Sequence, residues 1–131
     1  MITILVDKNI EGQALLLWRM LSMEGWPELL SMELALFSQV GLRENSNDRE
    51  VWQFAQNNRM ILLTANRNMK GKDSLEQIIR EANTATSLPV LTIGNVDGLS
   101  NADYREDCIT RWLEIVADIE NYLGARRIYI P

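Results

Sequence analysis

The chain opens on an apolar run that stops at a carboxylate: Met1-Ile2-Thr3-Ile4-Leu5-Val6, then Asp7. Ile2, Ile4 and Val6 are β-branched, and Leu5 is apolar on the opposite side of the alternation. A strand apolar on both faces must be covered on both faces, which is the situation of a parallel sheet sandwiched by helices. In such open sheets, ligands sit beyond the carboxyl ends of the strands. Asp7 falls at that edge, so the same residues that constrain the fold also mark a candidate site.

The rest of the chain alternates in the way this start requires. Glu11 to Met23 reads as a helix with Leu15, Leu16, Met20 and Met23 at helical spacing and Gly25 as its stop. Trp26-Pro27 restarts the chain. Leu29 to Leu36 reads as a helix with Pro27 in its first turn, although a short strand before Gly41 also fits. Asn47 or Asp48 caps the next helix, with Glu50 in capping-box position after Asn47. Met60 to Thr64 is a second short apolar strand. The segment 65–72 is a loop, and Asp73 is in place to cap a helix with Leu75, Ile78, Ile79 and Ala82 as its buried stripe. Leu88 to Ile93 is a third strand. Asn101 caps the longest helix, predicted to run to Leu123 before Gly124, with Trp112 on its inner face. Ile128 to Ile130 closes the order as a strand. The expectation is one α/β domain over residues 1–131, with a mainly parallel sheet of about four strands and helices on both faces.

Composition narrows the chemistry. With 131 residues, 47% of them hydrophobic, the chain can bury a full core. It has one cysteine, Cys108, which excludes an internal disulfide and fits a reducing cytoplasm. It has no histidine, which removes imidazole catalysis, histidine triads and most zinc sites. No apolar stretch approaches the roughly 20 residues of a membrane span, and the N-terminus lacks the basic lead of a signal peptide. The net charge of −5 argues against sequence-specific nucleic-acid binding through a basic field. It does not argue against a nuclease, because divalent ions on the carboxylates reverse the local sign.

Several oxygen-bearing side chains follow strands or open helices: Asp7, Asp48, Asn66, Asn68, Asp73, Asn95 and Asp97. Carboxylates and amide carbonyls are the ligands that Mg²⁺ or Mn²⁺ prefer. Each residue also has an ordinary role as a cap or turn former, so the combination carries the signal rather than any member. Nucleotide-binding alternatives lack their motif. The residues after the first strand, Asp7-Lys8-Asn9-Ile10-Glu11-Gly12, match neither a P-loop nor a G-x-G-x-x-G turn.

Three blocks together resemble PIN-like domains of the small DUF5615 and Mut7-C type: the opening strand with Asp7-Lys8-Asn9, then Ser46-Asn47-Asp48-Arg49-Glu50-Val51, then Ile61-Leu62-Leu63-Thr64-Ala65-Asn66-Arg67-Asn68. The family shows Asp-Glu-Asn, Ser-Asp-x-Glu-Val and Thr-x-Asp-x-Asp at these places, and the resemblance covers roughly residues 1 to 97. It implies a Rossmann-like PIN fold and a metal-dependent ribonuclease, in some members the toxin of a toxin–antitoxin pair. Carried over by position, Asp7, Asp48, Asn66 and Asn68 become the catalytic set. Asp7, Asp48 and Asn66 hold Mg²⁺ or Mn²⁺, with Asp73 or Asp97 as a replacement ligand. Lys8, Asn9, Arg67, Lys70 and Lys72 meet the substrate. The implied partners are RNA and a cognate antitoxin or other protein.

This chain departs from the pattern at positions 66 and 68, where Asn replaces a carboxylate, and at position 8, where Lys replaces an acid. The departures open a second reading. A catalytically degenerate PIN-like module would act by protein interaction or homodimerisation, through apolar surface near Trp112 or Trp26.

Overall fold

The computed structural model describes residues 1–68 and 70–131. Its β-strands form one sheet of five in the order β2-β1-β3-β4-β5: β1 (Ile2–Val6), β2 (Met32–Leu36), β3 (Met60–Thr64), β4 (Val90–Thr92) and β5 (Arg127–Tyr129). Every neighbouring pair is parallel. The helices are α1 (Glu11–Met23), α2 (Trp26–Leu29), α3 (Phe37–Val40), α4 (Asp48–Asn57), α5 (Leu75–Ala82) and α6 (Ala102–Ala117). No helix among the described residues is long and apolar enough to cross a membrane. The predicted loop over 65–72 has no regular secondary structure at its described positions, and Met69 lies outside them.

The period-two alternation of the strands divides the core between the two faces of the sheet. Ile4, Val6, Ile61, Leu63 and Leu91 point to one face, where Ala14, Leu17 and Leu21 of α1 and Cys108, Trp112 and Ile115 of α6 cover them. Leu5, Leu62 and Val90 point to the other, under Val51, Trp52 and Ala55 of α4 and Leu75, Ile78 and Ile79 of α5. The result is a doubly wound, Rossmann-like α/β fold, and β1 is apolar at every position but Thr3 because helices cover both faces of the sheet.

Five local expectations need correction. The segment read as a helix over Leu29 to Leu36 is mostly strand β2, which makes the sheet five-stranded rather than four. Its Met, Glu, Leu and Ala residues favour helix in isolation, but five rungs of parallel pairing with β1 override that preference. Ser31 turns the chain into β2 with φ of 53° and accepts a hydrogen bond from the Ile2 N–H. In α1 the buried stripe is Ala14, Leu17 and Leu21, whereas Leu15, Leu16 and Met23 are exposed. The small Ala14 lets that face come close to the sheet. Asp73 does not cap α5; Ser74 does, its Oγ accepting from the Gln77 N–H.

The last helix stops at Ala117, and a 3₁₀ turn over Ile119–Tyr122 carries the chain to Gly124, which has φ of 80°. Asp118 has left helical backbone geometry, which ends α6 early. Trp112 is fully buried in the core, as its place on the inner face of the helix predicts.

Cys108 lies in the same core, and burial pushes its thiol up to about 11. The thiol therefore stays protonated and unreactive at neutral pH. Iodoacetamide at pH 8 should leave the native protein unmodified, and labelling should follow the urea unfolding curve. Rapid labelling without denaturant would contradict this packing.

Candidate functional site

The strand order fixes where a site can lie. From β1 the chain winds outward to β2, then returns past β1 to β3 and continues to β4 and β5 on the other side. The carboxyl ends of β1 and β3 therefore flank the point at which the winding reverses, where open α/β sheets leave a crevice. Asp7 leaves β1 there, its N–H bonded to Leu63 O at 2.9 Å. Thr64 ends β3 beside it, and the two side chains meet: Thr64 Oγ1 donates to Asp7 Oδ2 at 2.6 Å. The other Asp7 oxygen, Oδ1, accepts from the Asn9 N–H at 3.2 Å and so caps the 3₁₀ turn that follows.

Asp48 reaches the same crevice from α4. Asn47 is the N-cap of that helix and forms the expected reciprocal box with Glu50. Asp48 is thereby the first helical residue, where the helix dipole favours a negative charge. Its Oδ2 accepts from Asn66 Nδ2 at 2.9 Å and from the Leu75 N–H, the first of α5, at 3.0 Å. One carboxylate thus satisfies an orphan donor at the start of a second helix. Oδ2 makes both bonds, and among the described residues Oδ1 has no hydrogen-bond partner.

Asn66 joins the two halves. Its backbone N–H donates to Thr64 Oγ1 at 3.0 Å, its Nδ2 donates to Asp48, and its Oδ1 accepts from the Asn68 N–H at 2.8 Å. The amide is oriented by this network, since the reverse orientation would set two acceptors against each other. A carboxylate at position 66 would face Asp48 as a like charge. The asparagine instead offers it a donor.

Asp7, Asp48, Asn66, Thr64, Lys8 and Asn9 line one pocket, together with Glu44 and Ser46, over an apolar floor that includes Phe37, Leu62 and Leu75. The cavity volume is about 60 Å³. That space takes a few water-sized particles, whereas drug-sized ligands fill several hundred Å³. Lys8 Nζ lies 3.8 Å from Glu44 Oε2 at the pocket rim, and Glu44 is almost fully exposed.

Other candidates lie elsewhere. Asn68, Lys70, Lys72 and Asp73 line an adjoining open depression that also touches Asp48. Arg67, Asn95 and Asp97 line another, beyond the ends of β3 and β4. Asp73 is taken up by Arg49, whose Nε lies 3.2 Å from its Oδ1. Arg49 also pairs with Glu81 at 2.8 Å, and this hydrogen bond holds the Glu81 carboxyl below its usual range and the guanidinium above its own. Neither Asp73 nor Asp97 joins Asp7 in the pocket. Among the described residues, no three Asp, Glu, His or Cys side chains are grouped closely enough to hold a metal ion.

Sequence reasoning missed Glu44 as a lining residue and Thr64 as the partner of Asp7. The signal for Thr64 was available, since it is the one polar residue of an otherwise apolar strand. No family model, curated protein or solved structure matches the chain.

Proposed function

We propose that this chain is a PIN-like domain of the nuclease type, with one divalent-cation site between Asp7 and Asp48. The carrying observation is that these two carboxylates, distant in sequence, line one small pocket at the reversal point of the sheet together with Thr64 and Asn66. The donor set fits Mg²⁺ or Mn²⁺, because such ions bind through one or two carboxylates and keep several waters. When bound, the ion lowers the pKa of a coordinated water and offsets phosphoryl charge.

The protein's own residues do the rest. Thr64 fixes Asp7 and Asn66 fixes Asp48, so neither carboxylate must be reorganised when a ligand arrives. The pocket is too small for a nucleoside, so an RNA strand crosses its mouth and presents only a phosphate. Lys8 is at the rim to meet that phosphate, with its weak, exposed link to Glu44 easily broken. Lys70 and Lys72 in one adjoining depression and Arg67 in the other extend the contact along the strand.

A specific observation favours a second reading, the degenerate interaction module. Both carboxylates already accept hydrogen bonds from neutral donors within the chain, so the pocket is satisfied without a cation. The two readings part on direct measurement. Mn²⁺ titrated into the wild-type protein, followed by water-proton relaxation, should show one saturable site. End-labelled RNA should then shorten only when Mn²⁺ is present. Absence of saturable binding together with intact RNA across several sequences and lengths would leave only the degenerate module.

A further inference from the structure

The strand farthest from β1 in sequence order carries a buried arginine that reaches the site. The Arg127 side chain on β5 is only 8% exposed, and its Nε lies 2.7 Å from Glu76 Oε1 on α5. Its Nη1 donates to Asn66 O at 2.7 Å and to Thr92 Oγ1 at 2.9 Å. Its Nη2 is buried with no partner among the described residues. Burying a guanidinium with an unpartnered nitrogen is costly, and a buried ion pair is often no more stabilising than an apolar pair of similar volume. Stability of β5 therefore does not account for this arrangement.

We infer that Arg127 is the positioning residue for the carboxylate pocket and acts through the backbone carbonyl of Asn66. Asn66 is, among the described residues, the one bonded to both arms of the site, through Thr64 to Asp7 and directly to Asp48. The segment after β3 is a loop with no regular structure of its own, so its placement depends on such tethers. Arg127 holds it from outside while Glu76 fixes the guanidinium in turn. The guanidinium serves Glu76 from Nε and Thr92 and Asn66 from Nη1, in a rigid plane that the single nitrogen of an ammonium on a flexible stem does not reproduce. The inference rests on the cation-site reading for its consequence, but not for its geometry.

The test uses the full chain with the double substitution Arg127→Met and Glu76→Leu, which exchanges the ion pair for apolar bulk. Two NMR signals of Asn66, its backbone N–H and its side-chain NH₂, report the two arms without any metal. Both should shift, and the backbone N–H should exchange with solvent at least about tenfold faster, while Cys108 remains unreactive. Mn²⁺ affinity should fall by about 10–100-fold, as is usual when the support of a metal ligand is removed. If the double variant does not fold, Arg127→Lys takes its place with the same two signals expected to move. Unchanged Asn66 signals and exchange in a folded variant would overturn the inference. If wild-type protein takes up no Mn²⁺, the cation reading fails separately, and the Asn66 signals alone decide whether Arg127 holds the pocket.

Discussion

Trp112→Ala should be among the most damaging single substitutions in the fold, costing about 3–5 kcal/mol. Trp112 is the largest fully buried side chain and sits in the core layer formed by α1, α6 and one face of the sheet. Its ring lies 6.3 Å from that of Trp18 on α1, tilted by 35°, so truncation removes an aromatic contact as well as buried area. A single domain is stable by only about 5–15 kcal/mol, so the loss takes a large share of the total. Thermal unfolding followed by circular dichroism should show Tm reduced by roughly 10–20 °C. Trp112→Phe should cost less than half as much. The indole N–H is buried without a partner among the described residues, and phenylalanine removes that unsatisfied donor while keeping part of the ring. Equal losses for the two variants would mean that a phenyl ring recovers none of the packing the indole provides.

The parts of the fold that were legible in the sequence are those where local preference and tertiary environment agree. β1 and β3 are short apolar runs bounded by polar residues, and each became a central strand buried on both sides. The Asn47–Glu50 box marked the start of α4 because capping is a local hydrogen-bond event. β2 was not legible. Its composition favours helix, and only the presence of β1 beside it selects the extended form. The exposed apolar residues of α1 misled for a related reason. That helix has apolar residues around much of its circumference, and periodicity alone does not say which face meets the sheet.

The site divides in the same way. Asp7 could be placed at the sheet rim from its strand alone. The approach of Asp48 and Asn66 to it needed the order of strands, because β3 pairs with β1 only after the chain has crossed from β2. Asp73 was the wrong cap, and it lies outside the Asp7 pocket, because its neighbour Ser74 caps α5 and its partner Arg49 holds its carboxylate through contacts invisible in a one-dimensional pattern. Arg127 was the least readable. It falls just outside the strand predicted over Ile128 to Ile130 and drew no reading, yet it opens β5 and its side chain is buried against Asn66 and Glu76.

Asp48 should separate architecture from chemistry when it is replaced in two ways. Asp48→Ala removes the acceptor for the Leu75 N–H and for Asn66 Nδ2, leaving two half-buried donors unpaired. That should destabilise the protein by about 1–3 kcal/mol. Asp48→Asn keeps a carbonyl oxygen that can accept both bonds, so its stability should lie within about 1 kcal/mol of wild type. The two variants should nevertheless be alike in losing Mn²⁺, because a neutral amide withdraws half of the charge that Asp7 and Asp48 supply. Removing only the support of a metal ligand weakens binding by about 10–100-fold, and loss of the ligand's own charge should exceed that. Asp7→Asn should match Asp48→Asn in affinity but lose somewhat more stability, since its amide oxygen can accept from Thr64 Oγ1 while its NH₂ replaces the oxygen that accepts from the Asn9 N–H. Isothermal titration with Mn²⁺, paired with urea unfolding of the same samples, measures both quantities. If Asp48→Asn bound Mn²⁺ as wild type does, Asp48 would be a helix-joining cap and nothing more, and the pocket would lose its claim to a cation. If instead affinity collapses while the unfolding curve stays in place, the carboxylate is retained for its charge, because its hydrogen bonds alone would be served equally well by asparagine.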